Sequence, residues 1–266
     1  CSNVCAFDSD YCNSPPIYDA DYTTPIVYGC KNISESIRAS SRSGGVFTAI
    51  SDWILTNGGV VYGCEIDSSF RIVHNRALNK KERDRFKKSK YTQSKLGNIY
   101  ESLKKDLVSG SYVLFSGTSC QTAAIRNYAH LLGLPTEKLY CADILCRGVP
   151  SQYLWDKYLN YIMKKYKGSI DSIEYRDKSY RGWKSHYESF IINGNKHYSN
   201  DFGSLFIKDV FFRPSCYNCR YKTVMHPSDI TLGDFWEVDN ALPGFNDNKG
   251  VSLVLINSEK GNELFK

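Results

Sequence analysis

The chain has 266 residues, 42% of them hydrophobic, and its 34 Lys and Arg exceed its 28 Asp and Glu by six. This length allows a substantial core, which excludes a mini-protein. No apolar stretch approaches the roughly 20 residues of a membrane span, and no signal peptide is visible, so we expect a cytoplasmic protein. In that compartment the ten cysteines are expected to be metal ligands or redox groups rather than disulfides.

The first 30 residues are irregular and contain four cysteines, Cys1, Cys5, Cys12 and Cys30. The three-residue gap between the first two matches the end of a bacterial ferredoxin cysteine run. Only this last part of such a run is present. Because the chain starts at a cysteine and stops soon after a strand-like segment, we interpret it as a fragment.

Residues 40–59 predict an amphipathic helix with Ser43 as its N-cap and with Gly44 and Gly45 in its first turn. Glycines there allow a phosphate group to approach bare N–H groups at the positive end of a helix. An ordinary helix start explains the same residues equally well. Two strand-like segments follow and are expected to form a hairpin.

Basic residues are concentrated at positions 79–90, where acidic residues are interspersed among them. A solvated helix face or loop is the simplest interpretation. The alternative is a surface for an anionic cofactor or for an acidic electron-transfer partner. We expect no nucleic-acid partner, because no nucleic-acid-binding motif accompanies the charge.

Residues 89–94 precede a helix that is predicted to continue to Gly110. Lys90, Tyr91 and Ser94 would suit a dinucleotide phosphate and an isoalloxazine or adenine ring at such a helix start. A plain capped helix accounts for these residues at least as well.

Residues 112–121 join a short apolar strand to a helix and form the centre of the predicted site. The apolar block is typical of a parallel strand with both faces covered. Ligands collect at the carboxyl ends of such strands, and the N–H groups of the next helix attract anions or thiolates. Gly117, Thr118 and Cys120 are therefore candidate site residues, with a buried structural thiol as the alternative for Cys120.

A further apolar run ends at Cys146, as the preceding strand ends near Cys120. The repeated order of strand and helix predicts right-handed βαβ units, and so an α/β fold with a mostly parallel sheet and flanking helices. Later, segments 170–175 and 186–192 alternate in polarity, and an Asn-Gly-Asn turn and a return strand follow the second segment. These segments predict antiparallel hairpin strands appended to the sheet.

Cys216 and Cys219 form a CxxC motif, and a compact fold could bring them together with Cys120 and Cys146. Four thiolates bind either zinc or an iron–sulfur cluster, and spacing alone does not decide between the two. Structural zinc usually uses two close pairs. One pair with two distant single cysteines therefore favours a cluster, held by cysteine-rich loops.

Six short segments occur in a fixed order: Ser-Gly-Gly (43–45), Ser-Lys-Tyr-Thr-Gln-Ser (89–94), Ser-Gly-Thr-Ser-Cys-Gln (116–121), Cys-Arg-Gly-Val-Pro-Ser (146–151), Arg-Pro-Ser-Cys-Tyr-Asn-Cys (213–219) and Asp-Ile-Thr-Leu-Gly-Asp-Phe-Trp (229–236). Together they resemble the coenzyme F420 hydrogenase/dehydrogenase beta-subunit family from about residue 25 onward. The resemblance implies an iron–sulfur flavoprotein that binds FAD. Members commonly carry a ferredoxin module first, so residues 1–30 are interpreted as its remnant and linker, and residues 31–266 as the FAD and cluster domain.

The resemblance implies that one 4Fe-4S cluster is held by Cys120, Cys146, Cys216 and Cys219. The candidate FAD residues are Ser43, Gly44, Gly45, Lys90 and Tyr91, with Ser94, Gly117 and Thr118 beside them. The family often has proline at Ser119 and histidine at Arg147; neither difference removes a ligand, and an arginine there would raise the reduction potential of the cluster. Cys30, Cys64 and Cys141 match no ligand position.

The family includes hydrogenase and dehydrogenase subunits, chlorophyll-pathway reductases and bacterial members associated with polysaccharide synthesis, and a fold does not choose among them. The resemblance predicts an oxidoreductase that passes electrons between a two-electron carrier or substrate, coenzyme F420 or another, and one-electron iron–sulfur carriers. A ferredoxin-like or other redox partner is therefore expected. The alternative is a domain without flavin that serves as a cluster- or zinc-bearing interaction module.

Overall fold

The computed structural model describes residues 4–7 and 22–266. Its strands are β1 (Ile26–Cys30), β2 (Val60–Ile66), β3 (Ile72–Ala77), β4 (Val113–Thr118), β5 (Leu139–Ile144), β6 (Ile170–Glu174), β7 (Glu188–Ile192), β8 (Asn195–Ser199), β9 (Ile230–Asp234) and β10 (Ser252–Ile256). Its helices are α1 (Glu35–Ser40), α2 (Val46–Thr56), α3 (Lys80–Arg83), α4 (Ile99–Val108), α5 (Ser119–Leu131), α6 (Gln152–Tyr166), α7 (Asp201–Ile207), α8 (Pro214–Tyr217), α9 (Val238–Ala241) and α10 (Glu259–Phe265), with a 3-10 turn at Asp84–Phe86.

Seven strands form the main sheet in the order β1-β10-β9-β5-β4-β2-β3. The four neighbours β9, β5, β4 and β2 are parallel, whereas β10 pairs antiparallel with both β9 and β1, and β3 pairs antiparallel with β2. The expected α/β fold with a mostly parallel sheet and flanking helices is confirmed, as is the hairpin of β2 and β3.

Apolar side chains cover both faces of this sheet. On one face α2 buries Val46, Ile50 and Ile54 against the strands, and α10 adds partly buried residues there. On the other face α4 and α5 bury a second group that includes Leu103 and Ile125. The central strands are therefore enclosed on both sides, which explains why β4 and β5 are apolar runs in the sequence.

The antiparallel strands predicted after residue 170 form a separate sheet with the order β6-β7-β8. All three predicted segments form strands, with β7 paired to both β6 and β8, but they form a sheet of their own and are not appended to the main sheet as we expected. The sheet packs against α6, whose Trp155, Leu159 and Ile162 are buried in this second core. An aromatic stripe on α6 thus covers the small sheet.

The predicted domain boundary at residue 30 falls at the end of β1, which pairs with β10 along its whole length. Residues 26–30 therefore belong to the main sheet. Cys1 and Cys12 lie outside the described residues. In the described ranges, no helix has both the length and the apolar character needed to cross a membrane.

Candidate functional site

A cavity of about 840 Å³ opens at the carboxyl edge of the four parallel strands. Thr118 at the end of β4 is level with Ile144 at the end of β5, and Ile144 is level with Leu232 in β9. The last residues of β4, β5 and β9 line the cavity wall. The site therefore lies where the parallel-sheet pattern predicted a ligand.

Ten of the twelve predicted site residues line this one cavity: Ser43, Gly45, Lys90, Tyr91, Ser94, Gly117, Thr118, Cys120, Cys146 and Cys216. They come from five separate parts of the chain. Gly44 and Cys219 do not line it. The fold thus brings the candidate flavin residues and three of the candidate cluster cysteines to one place.

Ser43 and Gly44 differ from the prediction, because α2 begins two residues later than expected, with Gly45 as its N-cap. Gly45 has φ +87°, a left-handed conformation that favours glycine. Gly44 packs against main-chain atoms of Cys30 and Ser252, and its N–H donates to Ser252 Oγ at 3.0 Å. The requirement for glycine at position 44 is therefore explained by packing on the edge of the sheet.

Lys90, Tyr91 and Ser94 also differ from the prediction, since α4 begins only at Ile99. Lys95 forms main-chain hydrogen bonds with Ile72 and His74 of β3. This pairing keeps the segment extended beside the sheet, so these three residues lie in a loop and not at a helix start.

The loop nevertheless directs polar groups to the cavity. Lys90 donates to the main-chain oxygens of Arg85 and Lys87, and burial lowers its pKa to about 8. The Tyr91 hydroxyl lies 2.8 Å from Arg176 Nη1, and the Tyr91 ring packs on Phe206 at a centroid distance of 4.3 Å.

Thr118 ends β4 and caps α5, as the predicted strand-to-helix turn required. Its N–H donates to Gln121 Oε1 at 3.0 Å, and its hydroxyl lies 3.2 Å from Cys120 Sγ. Gln121 in turn donates to the Ser94 hydroxyl at 2.8 Å. These contacts connect the candidate cluster cysteine to the candidate flavin loop.

The four candidate cluster cysteines are free thiols that lie close enough to interact electrostatically. Burial, together with repulsion from Cys120, Cys216 and Cys219, raises the pKa of Cys146 to about 12. Burial also raises the pKa of Cys120, with contributions from Cys219 and Cys216. Cys120 and Cys146 are therefore held in the protonated form unless a cation lies nearby.

The donor set fits a thiolate-bound cluster in its chemistry. Three of the four sulfur-bearing residues line one end of the cavity, Cys219 packs beside Cys120, and none is disulfide-bonded. Across the described ranges, no group of three or more His, Cys, Asp or Glu side chains is arranged to hold a metal ion. Thiolates around a cubane lie further apart than the four sulfurs around a single tetrahedral zinc, each at about 2.3 Å from the metal.

Several cavity residues were missed by the sequence analysis. Among them is His226, whose Nδ1 lies 2.9 Å from the carboxylate of the fully buried Asp143 and 3.2 Å from Ser119 Oγ. Its other ring nitrogen, Nε2, is buried and has no partner in the described part of the chain. Nothing in the local sequence distinguishes this histidine, since Asp143 lies 83 residues away.

The lining is strongly positive, with one carboxylate, Asp234, among eight lysines and arginines: Arg42, Lys87, Lys88, Lys90, Arg147, Arg176, Arg213 and Lys222. Most basic side chains of the run at 79–90 form ion pairs with acidic side chains of the protein. Lys80 and Arg83 pair with Asp52, and Lys88 pairs with Glu174. The charge that faces the cavity therefore comes from many segments.

Arg147, which follows Cys146, is exposed and pairs with Asp209 through two hydrogen bonds. This pairing neutralises much of its charge. If a cluster lies at Cys146, Arg147 would therefore raise its reduction potential less than an unpaired arginine would.

Comparison with known proteins gives one family and one fold. Residues 110–266 match the family model that describes the C terminus of the coenzyme F420 hydrogenase/dehydrogenase beta subunit. A chain of the F420-reducing NiFe hydrogenase complex from Methanosarcina barkeri superposes with a TM-score of 0.62 at 18% identity, covering 94% of this chain and 80% of that chain. No curated protein sequence matches the chain.

Proposed function

Because the chain belongs to the coenzyme F420 hydrogenase/dehydrogenase beta-subunit family, a family of redox subunits, we propose that it is an oxidoreductase that uses FAD and one 4Fe-4S cluster. The observation that carries the proposal is the single cavity lined by ten of the twelve residues expected to hold these two groups. Separate cavities for the flavin residues and the cysteines would have argued against electron transfer between them.

In this proposal Cys120, Cys146, Cys216 and Cys219 hold the cluster. FAD supplies two-electron chemistry when bound, and the cluster carries single electrons. The cysteines come from the ends of β4 and β5 and from the loop around α8, so they connect three parts of the fold. Because metal-site binding energy is partly folding energy, these parts would be stabilised together.

The flavin residues of the proposal are Ser43, Gly45, Lys90, Tyr91, Ser94, Gly117 and Thr118. Lys90 offers a positive charge to an anionic ligand below pH 8, given its lowered pKa of about 8. Gly117 keeps the end of β4 free of a side chain, where a Cβ atom would lie 3.0 Å from Gln121 Oε1. Gly44 supports this wall from behind by packing and is not proposed as a ligand contact.

His226 is positioned to hold or move a proton at Nε2. Its Nδ1 is fixed by Asp143, which is itself held by the hydroxyls of Ser228 at 2.7 Å and Thr231 at 2.6 Å. Because Asp143 engages Nδ1, Nε2 is the ring nitrogen of this cavity-lining residue that remains unpartnered among the described residues. Two-electron reduction of a flavin takes up a proton, so a fixed proton carrier in the same cavity is consistent with the proposal.

A ferredoxin-like or other one-electron partner would approach at the cluster end of the cavity. Exposed apolar residues lie close in sequence to the proposed ligands: Ile144 and Leu145 before Cys146, Tyr217 within the CxxC motif and Val224 after it. Ala6 and Phe7 also pack beside Cys120 and Cys219. A preceding iron–sulfur module would therefore join the chain close to the proposed cluster.

The proposal is tested by anaerobic purification followed by stepwise reduction in a spectrophotometer. We expect flavin bands near roughly 370 and 450 nm over a broad brown cluster absorbance, both bleached by the same reductant. A protein that releases no flavin on denaturation and takes none up would contradict the flavin assignment and favour the interaction module. The physiological two-electron substrate, including coenzyme F420, is to be found by screening candidate reductants in the same assay.

A further inference from the structure

Arg42 is buried in the cavity wall without an acidic partner. The residue is 9% exposed, and its guanidinium forms no ion pair in the described ranges. Its guanidinium donates only to main-chain oxygens, those of Arg176, Trp183 and Ser185. Burial, with repulsion from Arg176, lowers the pKa of Arg42 to about 10. A buried charge with neutral partners alone is costly unless another group compensates it.

Arg176 lies beside it and is 4% exposed. Its Nη1 donates to Asp234 at 2.6 Å and to Tyr91, and its guanidinium carbon lies 4.8 Å from the ring centroid of Trp236. Asp234 is the one carboxylate on the cavity lining. The wall therefore holds two buried guanidinium groups and one carboxylate, which contacts Arg176 alone of the two.

Both arginines have a buried Nε atom without a hydrogen-bond partner in the described part of the protein. Buried N–H groups are usually satisfied, so a ligand with acceptor oxygens here would satisfy two unpartnered donors on one cavity wall. The same wall includes Gly45 and Val46 at the start of the 11-residue helix α2, where free N–H groups and the helix dipole also favour an anion.

We propose that Arg42 and Arg176 form an oxyanion subsite that takes a phosphate or carboxylate group of the bound ligand. The inference depends on the proposed function only for the identity of that ligand. The group could belong to the pyrophosphate of the flavin or to the anionic part of the two-electron substrate, since a planar guanidinium binds both kinds of oxyanion.

A purely structural role for Arg42, holding the main chain at residue 176 and at residues 183–185 in place, explains its three main-chain contacts. It leaves the orphaned Nε atoms and the unmatched positive charge without an explanation. The two roles differ in one measurable respect. A structural role stabilises the protein equally in all salts, whereas an oxyanion subsite makes the stability of the protein depend on a specific anion.

The test measures the melting temperature of the full chain with inorganic pyrophosphate, against sodium chloride at matched ionic strength. In flavin-free wild-type protein we expect pyrophosphate near ten times its Kd to raise the melting temperature by about 3 °C. The shift should disappear in Arg42→Gln and Arg176→Gln. It should persist in the control Arg71→Gln, which removes the same charge from an exposed position that pairs with Asp67.

No shift in the wild-type protein, or an equal shift in both cavity variants, would overturn the proposal. The wild-type measurement decides the matter even if Arg42→Gln does not fold. Repeating it on flavin-loaded protein identifies the source of the oxyanion: loss of the shift indicates the flavin pyrophosphate, and its retention indicates the substrate. If the chain binds no flavin but shows the shift, the FAD assignment fails while the subsite stands.

Discussion

Gly44 packs so closely against Cys30 that a Cβ atom at position 44 would overlap the Cys30 carbonyl oxygen. The sequence suggested that these glycines let a phosphate group approach the main chain, which would make their substitution act on flavin binding. For Gly44 the contact with β1 reverses that expectation. Its substitution should act on the fold first.

We therefore expect Gly44→Ala to lower the free energy of unfolding of flavin-free protein by about 2 to 3 kcal/mol through overpacking. Gly58→Ala is the matched control, because Gly58 has φ +70° and open space around it. That control should cost about 1 kcal/mol from the left-handed backbone alone. Urea denaturation measures both, and equal losses would show that the edge of the sheet relaxes around the new methyl group.

Lys90 should make flavin affinity depend on pH. Its pKa is lowered to about 8 by burial, so the amine is charged below pH 8 and becomes neutral above it. We expect flavin affinity to fall as pH rises from 7 to 9, because an anionic ligand loses its cationic partner. Fluorescence titration should show this fall in the wild type and not in Lys90→Met; a parallel fall in both proteins would exclude Lys90 as the cause.

Lys222 should contribute more to partner docking than the basic run at 79–90. Lys222 lines the cluster end of the cavity and forms no ion pair among the described residues, whereas Lys80 pairs with Asp52 at 3.2 Å. We expect Lys222→Gln to slow reduction by an acidic ferredoxin-like donor about two- to tenfold at low salt, with a weaker dependence on ionic strength. Stopped-flow reduction of Lys80→Gln should match the wild type, and the reverse ranking would restore the basic run as the docking surface.

Glu188 should make stability fall between about pH 4.5 and 8. Burial in β7 raises its pKa to about 8, above the value near 4.5 expected in the unfolded chain. The folded protein therefore holds the extra proton, and this stabilisation is complete below pH 4.5 and lost as pH rises through 8. The slope approaches about 1.4 kcal/mol per pH unit within that window. Urea denaturation across this range should show the slope in the wild type and a flatter profile in Glu188→Gln.

The sequence predicted the features that local residue patterns determine, namely the central strands and the type of sheet they form. The apolar blocks at β4 and β5, each followed by a helix or a turn with a cysteine, indicated the parallel sheet and placed Cys120 and Cys146 on adjacent strand ends. The expected α/β architecture and the family are both confirmed by the structure and the comparisons. The cluster and flavin assignments stay predictions.

Long-range packing explains what the sequence did not reveal. Lys90 and Tyr91 were placed at a helix start, but pairing of Lys95 with β3 keeps their segment extended. Arg42 directly precedes the predicted Ser43 and could have been suspected from its position. Arg176 could not have been identified from the sequence, because it lies 134 residues from Arg42 along the chain and contacts it only in the folded protein.

The most direct test of the central claim is the metal and sulfide content of anaerobically purified protein. We expect iron and acid-labile sulfide in equal amounts, about four of each per chain, as a 4Fe-4S cluster requires. Cys120→Ser should lose most of the iron and reduce the melting temperature, since the cluster connects three segments of the fold. Cys64→Ser, which changes a cavity thiol outside the proposed ligand set, should keep its iron. Stoichiometric zinc without sulfide in the wild type, or a complete cluster in Cys120→Ser, would contradict the account.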